Sequence, residues 1–213
     1  MIASNFFLSA TGAQNSPPIA VISSYHSELA LLVPVLEPMT ATPILVRPAT
    51  EDDLPALTDM YNHYVVNTPI TFDLQPFTVD ERREWFLEHS SGGRHRLLVA
   101  ADGRGEAVGY ATTSRFRARA AYDTTVESSV YCRADVVGRG IGTTLYRALF
   151  ETLRDEDINR IVAGVTLPNP ASLALHERCG FRPVGTLSSV GRKFDRYWDV
   201  AWLERPLRVA GQH

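Results

Sequence analysis

From residue 44 onward the apolar positions follow two alternating rhythms. Short runs rich in β-branched, aromatic and small apolar residues, bounded by turn formers, occupy 44–47, 97–101, 107–113, 124–132, 160–167, 183–187 and 197–203, and predict strands. Between them the spacing becomes helical. Leu54, Leu57, Tyr61, Tyr64 and Val65 mark one helix face ending near Asn67, and Thr50 with Asp53 three residues on supplies its start. Thr78 and Glu81 cap a second helix containing Trp85 and Phe86. Leu145, Leu149 and Leu153, with Phe150 alongside, give a third helix from Thr143 onward. Residues 169–179 form a fourth, stopped by Gly180 at its C-terminal cap. Residues 68–77, with two prolines, read as loop, and residues 102–105 turn a hairpin between the second and third strands. The last two strands bracket a Ser/Gly/Lys-rich stretch that reads as a turn region. The order βααβββαβαββ predicts the α/β class, a mixed twisted sheet with helices on both faces.

The first 43 residues break this pattern. Lys and Arg are absent until Arg47, and the apolar run 29–36 is interrupted by Pro34. A secretory signal would need a basic start, which is missing. The expectation is a disordered or over-extended segment 1–43, with Met39 as an alternative start, a single domain over 44–207 and a tail at 208–213. One good core suits this length.

Charge and cysteine content narrow the function. A net charge of −3 gives no basic footprint for nucleic acid. No apolar run approaches the ~20 residues that span a bilayer. Two cysteines, Cys132 and Cys179, make neither a disulfide framework nor a zinc spacing, so the reading is a reduced, cytoplasmic setting with no metal.

The chemistry-bearing stretch is 124–153, where a strand runs through Gly138, Gly140 and Gly142 into an amphipathic helix. A glycine-rich turn at a helix start exposes unpaired N–H groups at the positive end of the helix dipole and lets an anion come close. That is a pyrophosphate cradle. The dinucleotide pattern G-x-G-x-x-G fails because Thr143 stands in the third glycine position, and no Gly-Lys-Ser/Thr follows for a P-loop.

The turn Val137-Gly138-Arg139-Gly140-Ile141-Gly142 resembles the acetyl-CoA loop of the GCN5-related N-acetyltransferases, Gln/Arg-x-x-Gly-x-Gly/Ala, with Val137 at a position usually held by Gln or Arg. A second stretch, from Asn169 and Ser172 through His176 to Gly180-Phe181, resembles that superfamily's Asn-x-x-Ser-x-x-Leu-Tyr-x-x-x-Gly-Phe pattern, with His176 in place of Tyr. That His, together with residues 116–123 and 126–131, is similar to the phosphinothricin and methionine sulfoximine N-acetyltransferases. The resemblance extends over nearly all of 44–207.

The resemblance implies acetyl-CoA as acyl donor, bound by Val130, Tyr131, Cys132, Gly138, Arg139, Gly140, Ile141, Gly142, Thr143, Asn169 and Ser172. It implies direct transfer to the α-amine of a small amino acid, with Glu127 as general base. An acid mid-strand among β-formers is itself unusual. The matching His implicates His176 in catalysis, either assisting deprotonation or protonating the leaving thiolate. A backbone N–H near Tyr131 is the expected oxyanion stabiliser. Arg117, Arg119 and Tyr122 form the expected clamp for the substrate's acid groups, since guanidinium pairs with carboxylate or phosphinate at two points. Phe72 is a candidate pocket wall, and Cys132 reads as packing rather than as a nucleophile. A homodimer is implied by the family. The rival readings are a peptide N-terminal acetyltransferase of the same fold and a non-catalytic acyl-CoA-binding module.

Overall fold

The computed structural model describes residues 43–89 and 92–207. The expected segment 1–43, apart from Pro43, and the expected tail 208–213 lie outside the described residues, so neither expectation is addressed by the fold.

The strands are β1 (Leu45–Pro48), β2 (Leu97–Ala101), β3 (Ala107–Arg115), β4 (Thr125–Cys132), β5 (Arg160–Thr166), β6 (Arg182–Lys193) and β7 (Arg196–Pro206). The helices are α1 (Leu54–Asn67), α2 (Val79–Leu87), α3 (Ile141–Thr152) and α4 (Pro170–Arg178), with short 3-10 turns at Glu51–Asp53, Ala120–Tyr122 and Ala134–Val136. The seven strands form one sheet in the order β1-β2-β3-β4-β5-β7-β6. Every neighbouring pair is antiparallel except β4 and β5, which run parallel.

Both sheet faces are covered, as the helical patterns require. β2 is buried at all five positions, which is what a strand covered on both faces needs. Its alternate residues serve two cores. Leu98 and Ala100 join Ala111, Val126, Ile161 and Ala163 beneath Leu145, Tyr146 and Leu149 of α3. Leu97 and Val99 join Tyr110 and Tyr131 beneath Leu57, Met60 and Tyr64 of α1 and Trp85 and Phe86 of α2. The start of α1 is pinned at Asp53, whose carboxylate accepts from the Thr50 N–H (2.8 Å) and from Arg47 (2.6 and 2.8 Å). Thr78 and Glu81 form the expected reciprocal cap of α2.

Two boundaries differ from the sequence pattern. α3 begins at Ile141, not Thr143, because Gly140 takes the left-handed conformation (φ 82°) and caps the helix there. The Ser/Gly/Lys-rich stretch is not a turn: β6 continues through it to Lys193, with register shifts between Pro183 and Gly185 and between Leu187 and Gly191. The reversal is confined to Phe194 and Asp195, both at positive φ (52° and 55°), the signature of a two-residue hairpin turn. Small polar residues are tolerated in β6 because it is the outer strand of the sheet and mostly exposed.

Candidate active site

The site begins where two strands part. β4 and β5 pair only at Thr125–Arg160, Val126–Ile161 and Glu127–Val162. Beyond Glu127 each continues to pair with its other neighbour, β4 with β3 as far as Cys132 and β5 with β7 as far as Thr166. Residues 128–132 and 163–166 thus face one another across a gap, with strand edges that lack a strand partner. Unpaired backbone N–H and C=O groups of this kind call for an occupant with peptide-like polar groups. The gap is lined by Ser128, Ser129, Gly164, Thr166, Asn169 and His176, among others.

A trough of about 410 Å³ continues outward from the gap, sharing with it Val130, Tyr131, Asn169 and Ser172. Its far wall is the glycine turn: Gly138, Gly140, Ile141, Gly142 and Thr143 line it, as does Cys132. Gly138 (φ 87°) and Gly140 (φ 82°) hold left-handed conformations that other residues adopt only at a cost of about 1–2 kcal/mol. Gly140 provides no side-chain cap, so the first-turn N–H groups of α3 are left open at the positive end of its dipole. The first intrahelical bond there is Thr144 N–H to Gly140 O, 3.1 Å. Gly142 has a different reason: a Cβ on it would sit 2.9 Å from Leu175 Cδ2, so it permits close approach of α3 and α4. On α4, Asn169 Oδ1 accepts from the Ser172 N–H (3.1 Å) and caps the helix. An anion cradle, a partly apolar trough and a gap edged with peptide groups fit a diphosphate ligand with a long amide-bearing arm. The structure adds Tyr64, Ile70, Ala174, Leu175 and Arg178 to the trough. The spacing of Ala171, Ala174, Leu175 and Arg178 along α4 was the available signal for the last three. Tyr64 is held by its hydroxyl, which donates to Cys132 O at 2.5 Å.

Glu127 stands at the closed end of the gap, on the α1/α2 face. Along β3 and β4 that face shows three cross-strand pairs in succession: Tyr110–Tyr131, Thr112–Ser129 and Ser114–Glu127. Glu127 is half-buried. Burial pushes its carboxyl up, and the Arg117 guanidinium pulls it part of the way back. Arg117, Arg119 and Tyr122 lie on the exposed loop between β3 and β4. Arg117 covers the Phe116 ring at 4.5 Å, and Phe116 meets Tyr122 edge-on at 5.8 Å. The structure thus brings Arg117 within electrostatic reach of Glu127, whereas Arg119 and Tyr122 line neither the gap nor the trough. Phe72 packs on the β6–β7 hairpin, its ring so close to Gly191 that a Cβ there would lie 2.3 Å from it. Ile70, from the same loop, lines the gap and the trough.

His176 is 4% exposed. Its Nδ1 lies 2.7 Å from Ser172 O, so Nδ1 carries hydrogen, and Nε2 is left to accept from the Tyr146 hydroxyl at 2.8 Å. Tyr146 in turn approaches Ser128 Oγ (3.4 Å). Burial lowers the imidazole pKa and keeps the ring neutral. Burial pushes the Cys132 thiol up to about 11, which leaves it protonated at neutral pH and unsuited to nucleophilic attack.

Two further cavities lie nearby. The larger, about 600 Å³, is lined by Asp52, Asp59, His63, Glu106 and Asp135, among others, and touches neither the glycine turn nor Glu127. The smaller, about 250 Å³, lies under α2 on the Glu127 face, between Tyr61, Arg82, Trp85 and the pairs Tyr110–Tyr131 and Thr112–Ser129. Among the described residues no group of three or more His, Cys, Asp or Glu could hold a metal ion, and no helix is long and apolar enough to cross a membrane.

Residues 57–181 match the acetyltransferase (GNAT) family. The chain is 57% identical over 165 residues to a phosphinothricin N-acetyltransferase of Streptomyces coelicolor, covering 77% of this chain and 96% of that one. It is 36% identical over 159 residues to an L-methionine sulfoximine/L-methionine sulfone acetyltransferase of Pseudomonas paraeruginosa, covering 75% and 92%. A GNAT superfamily phosphinothricin acetyltransferase from Sinorhizobium meliloti, crystallised with acetyl-CoA, shares the fold with a TM-score of 0.73 at 32% identity, over 76% of this chain and 88% of that one. A ribosomal-protein-alanine N-acetyltransferase from Brucella melitensis does so with a TM-score of 0.71 at 36% identity, over 76% and 99%.

Proposed function

The chain belongs to the acetyltransferase (GNAT) family and is an acetyl-CoA-dependent N-acetyltransferase, and from that premise we propose that it acetylates the α-amine of a small amino acid of the phosphinothricin or methionine sulfoximine/sulfone type, with Glu127 as general base. The observation that carries this reading is the position of Glu127, the last residue of β4 paired to β5, at the inner end of a gap that runs continuously to an uncapped helix start.

Acetyl-CoA, when bound, supplies an acetyl group activated as a thioester. The open N–H groups of residues 141–143 would hold its diphosphate, and Val130, Tyr131, Cys132, Asn169 and Ser172, which line the trough, would border its arm. Glu127 removes a proton from the substrate ammonium, directly or through water, so that the nitrogen lone pair can attack the thioester carbon; the C–S bond would then break and CoA would leave as the thiolate, taking up the second proton that the nitrogen loses. Burial suits it to this work, because a carboxylate raised in pKa is a stronger base. A backbone N–H near Tyr131 faces the charge that develops on the carbonyl oxygen. His176 acts through Tyr146 at the thiol end of the gap, as a neutral ring that orients the tyrosine hydroxyl. Arg117, Arg119 and Tyr122 at the rim meet the polar or anionic side-chain group of the substrate.

The enzyme works, in this reading, as a cytoplasmic homodimer. The outer strand β6 leaves Val184, Leu187 and Val190 between 48% and 61% exposed, a surface suited to a second copy. Resistance to a herbicide amino acid would follow from the activity. A peptide N-terminal acetyltransferase is the competing reading, favoured by the likeness to the Brucella protein.

The test is thiol release from acetyl-CoA with a panel of amines. Phosphinothricin, methionine sulfoximine and methionine sulfone should be turned over well, and free lysine and an N-terminal alanine peptide poorly. Preference for the peptide would replace the amino-acid reading, and turnover of none would leave only acyl-CoA binding.

A further inference from the structure

The cavity under α2 holds a buried cation with open donors. Arg82 is 6% exposed; its guanidinium interacts with the Tyr110 hydroxyl, while its Nε and Nη2 have no hydrogen-bond partner within 3.5 Å among the described residues. Its guanidinium carbon lies 3.8 Å from the Trp85 ring centroid and 4.4 Å from that of Tyr61. Aromatic faces hold the group by cation–π attraction and leave the in-plane N–H donors to the cavity. Thr112 Oγ1, in the same cavity, is also buried and has no partner among the described residues.

Two acids also line the cavity, Asp73 and Glu81. Asp73 Oδ2 accepts from the hydroxyls of Tyr61 and Thr71, and Glu81 Oε2 accepts from the N–H and hydroxyl of Thr78. Among the described residues neither carboxylate bonds the Arg82 Nε or Nη2. Open donors on a cation and an open hydroxyl in one cavity are costly unless an acceptor joins them. The acceptor that fits is a small anion able to take two donors at once, a carboxylate.

The cavity also lies at the right place. Ser129, which faces Thr112, lines both it and the gap. Glu127 is two residues further along β4 on the same face, about 7 Å at the rise of a strand. The cavity at Arg82 and the gap that ends at Glu127 thus adjoin along one face of β4.

We propose that Arg82, with Thr112, is the seat of the substrate's α-carboxylate. The assignment rests on the amino-acid reading above and divides the recognition: the exposed Arg117 and Arg119 meet the side-chain group, while buried Arg82 selects for a free amino acid. An amine that lacks an adjacent carboxylate leaves Arg82 unsatisfied and is rejected for that reason.

Calorimetry on the full chain saturated with CoA tests this, with L-methionine sulfone and its uncharged carboxamide as probes, alongside turnover of both with acetyl-CoA. Wild type should prefer the carboxylate about 10- to 100-fold. Arg82→Gln should abolish the preference while binding acetyl-CoA as wild type does. Thr112→Val keeps the side-chain shape and should narrow the preference, and it decides the matter if Arg82→Gln does not fold. An undiminished preference in folded Arg82→Gln, or in Thr112→Val when that is the variant that folds, overturns the assignment, as does the absence of any preference in wild type. In those cases continued turnover of methionine sulfone leaves the amino-acid reading standing. Failure of wild type to bind or acetylate any amino acid removes both.

Discussion

Glu127 and His176 lie on opposite faces of the β4 plane. Glu127 shares its face with Ser129 and Tyr131, beneath α1 and α2, while its neighbour Ser128 points the other way, to the Tyr146 hydroxyl that bonds His176. The two residues therefore meet a ligand in the gap from different sides. In the function proposed above, Glu127 would meet the incoming amine and His176, through Tyr146, the sulfur end.

Glu127→Gln should lower kcat by about 100-fold or more and leave acetyl-CoA affinity unchanged, since a base acts on the proton of the amine. It should not weaken the fold. Burial raises the native carboxyl pKa, so the folded state holds that proton more tightly than the unfolded chain does. The stability this gives is present at low pH and is lost as pH rises from the ordinary glutamate value through the native one. Above that window the charged, half-buried carboxylate is a net cost, which Gln removes. Steady-state kinetics with a thermal melt at pH 8 should show lost turnover beside an equal or higher melting temperature.

His176→Ala should cost stability. It removes the shorter of the two hydrogen bonds of the buried Tyr146 hydroxyl, leaving only Ser128 at 3.4 Å, a loss of about 1 kcal/mol, and removes a ring that packs 5.0 Å from Phe181. Its pH signature is opposite to that of Glu127. Burial lowers the native imidazole pKa, so the unfolded state binds the extra proton first, and stability falls as pH drops below about 6.5 toward the native value. Urea melts between pH 5 and pH 8 should show that acid loss in wild type and a flatter profile in the variant.

Gly140→Ala should act on the cradle. A Cβ there meets nothing within 4 Å, so the cost is conformational: φ of 82° in a non-glycine residue, about 1–2 kcal/mol. Escape from that strain reorients the first-turn N–H groups. Acetyl-CoA affinity should fall by about 10-fold or more, and the rise in melting temperature that acetyl-CoA gives wild type should shrink accordingly. Amine KM should change far less.

A chain beginning at Met39 should keep the melting temperature and activity of the full one. Among the described residues the first strand starts at Leu45, and the two cores draw on residues from Ile44 onward. Differential scanning calorimetry and thiol release on the two chains check this, and a lower melting temperature for the shorter one would show that residues 1–38 pack on the domain.

Most elements of this fold were legible in the sequence because they are fixed by nearby residues. The period of apolar positions, the Thr78–Glu81 cap and the stop at Gly180 act within one or two turns of chain, and so does the glycine turn before α3. Where local signals conflicted the reading slipped. Gly142 looked like part of the turn although it lies inside α3, where contact with Leu175 demands a small residue. The Ser/Gly/Lys stretch looked like a turn although pairing with β7 makes it strand. What brings Glu127, the cradle and Asn169 to one gap depends on how far β4 and β5 stay paired, a contact between segments some 35 residues apart that no local pattern encodes. The separation of Glu127 from His176 and the burial of Arg82 between Trp85, Tyr61 and Thr112 were likewise decided by the tertiary structure. Arg82 stands in α2 among Asp80, Glu81, Arg83 and Glu84, and only the packing of α2 against the sheet takes it out of water and into the lining of a cavity.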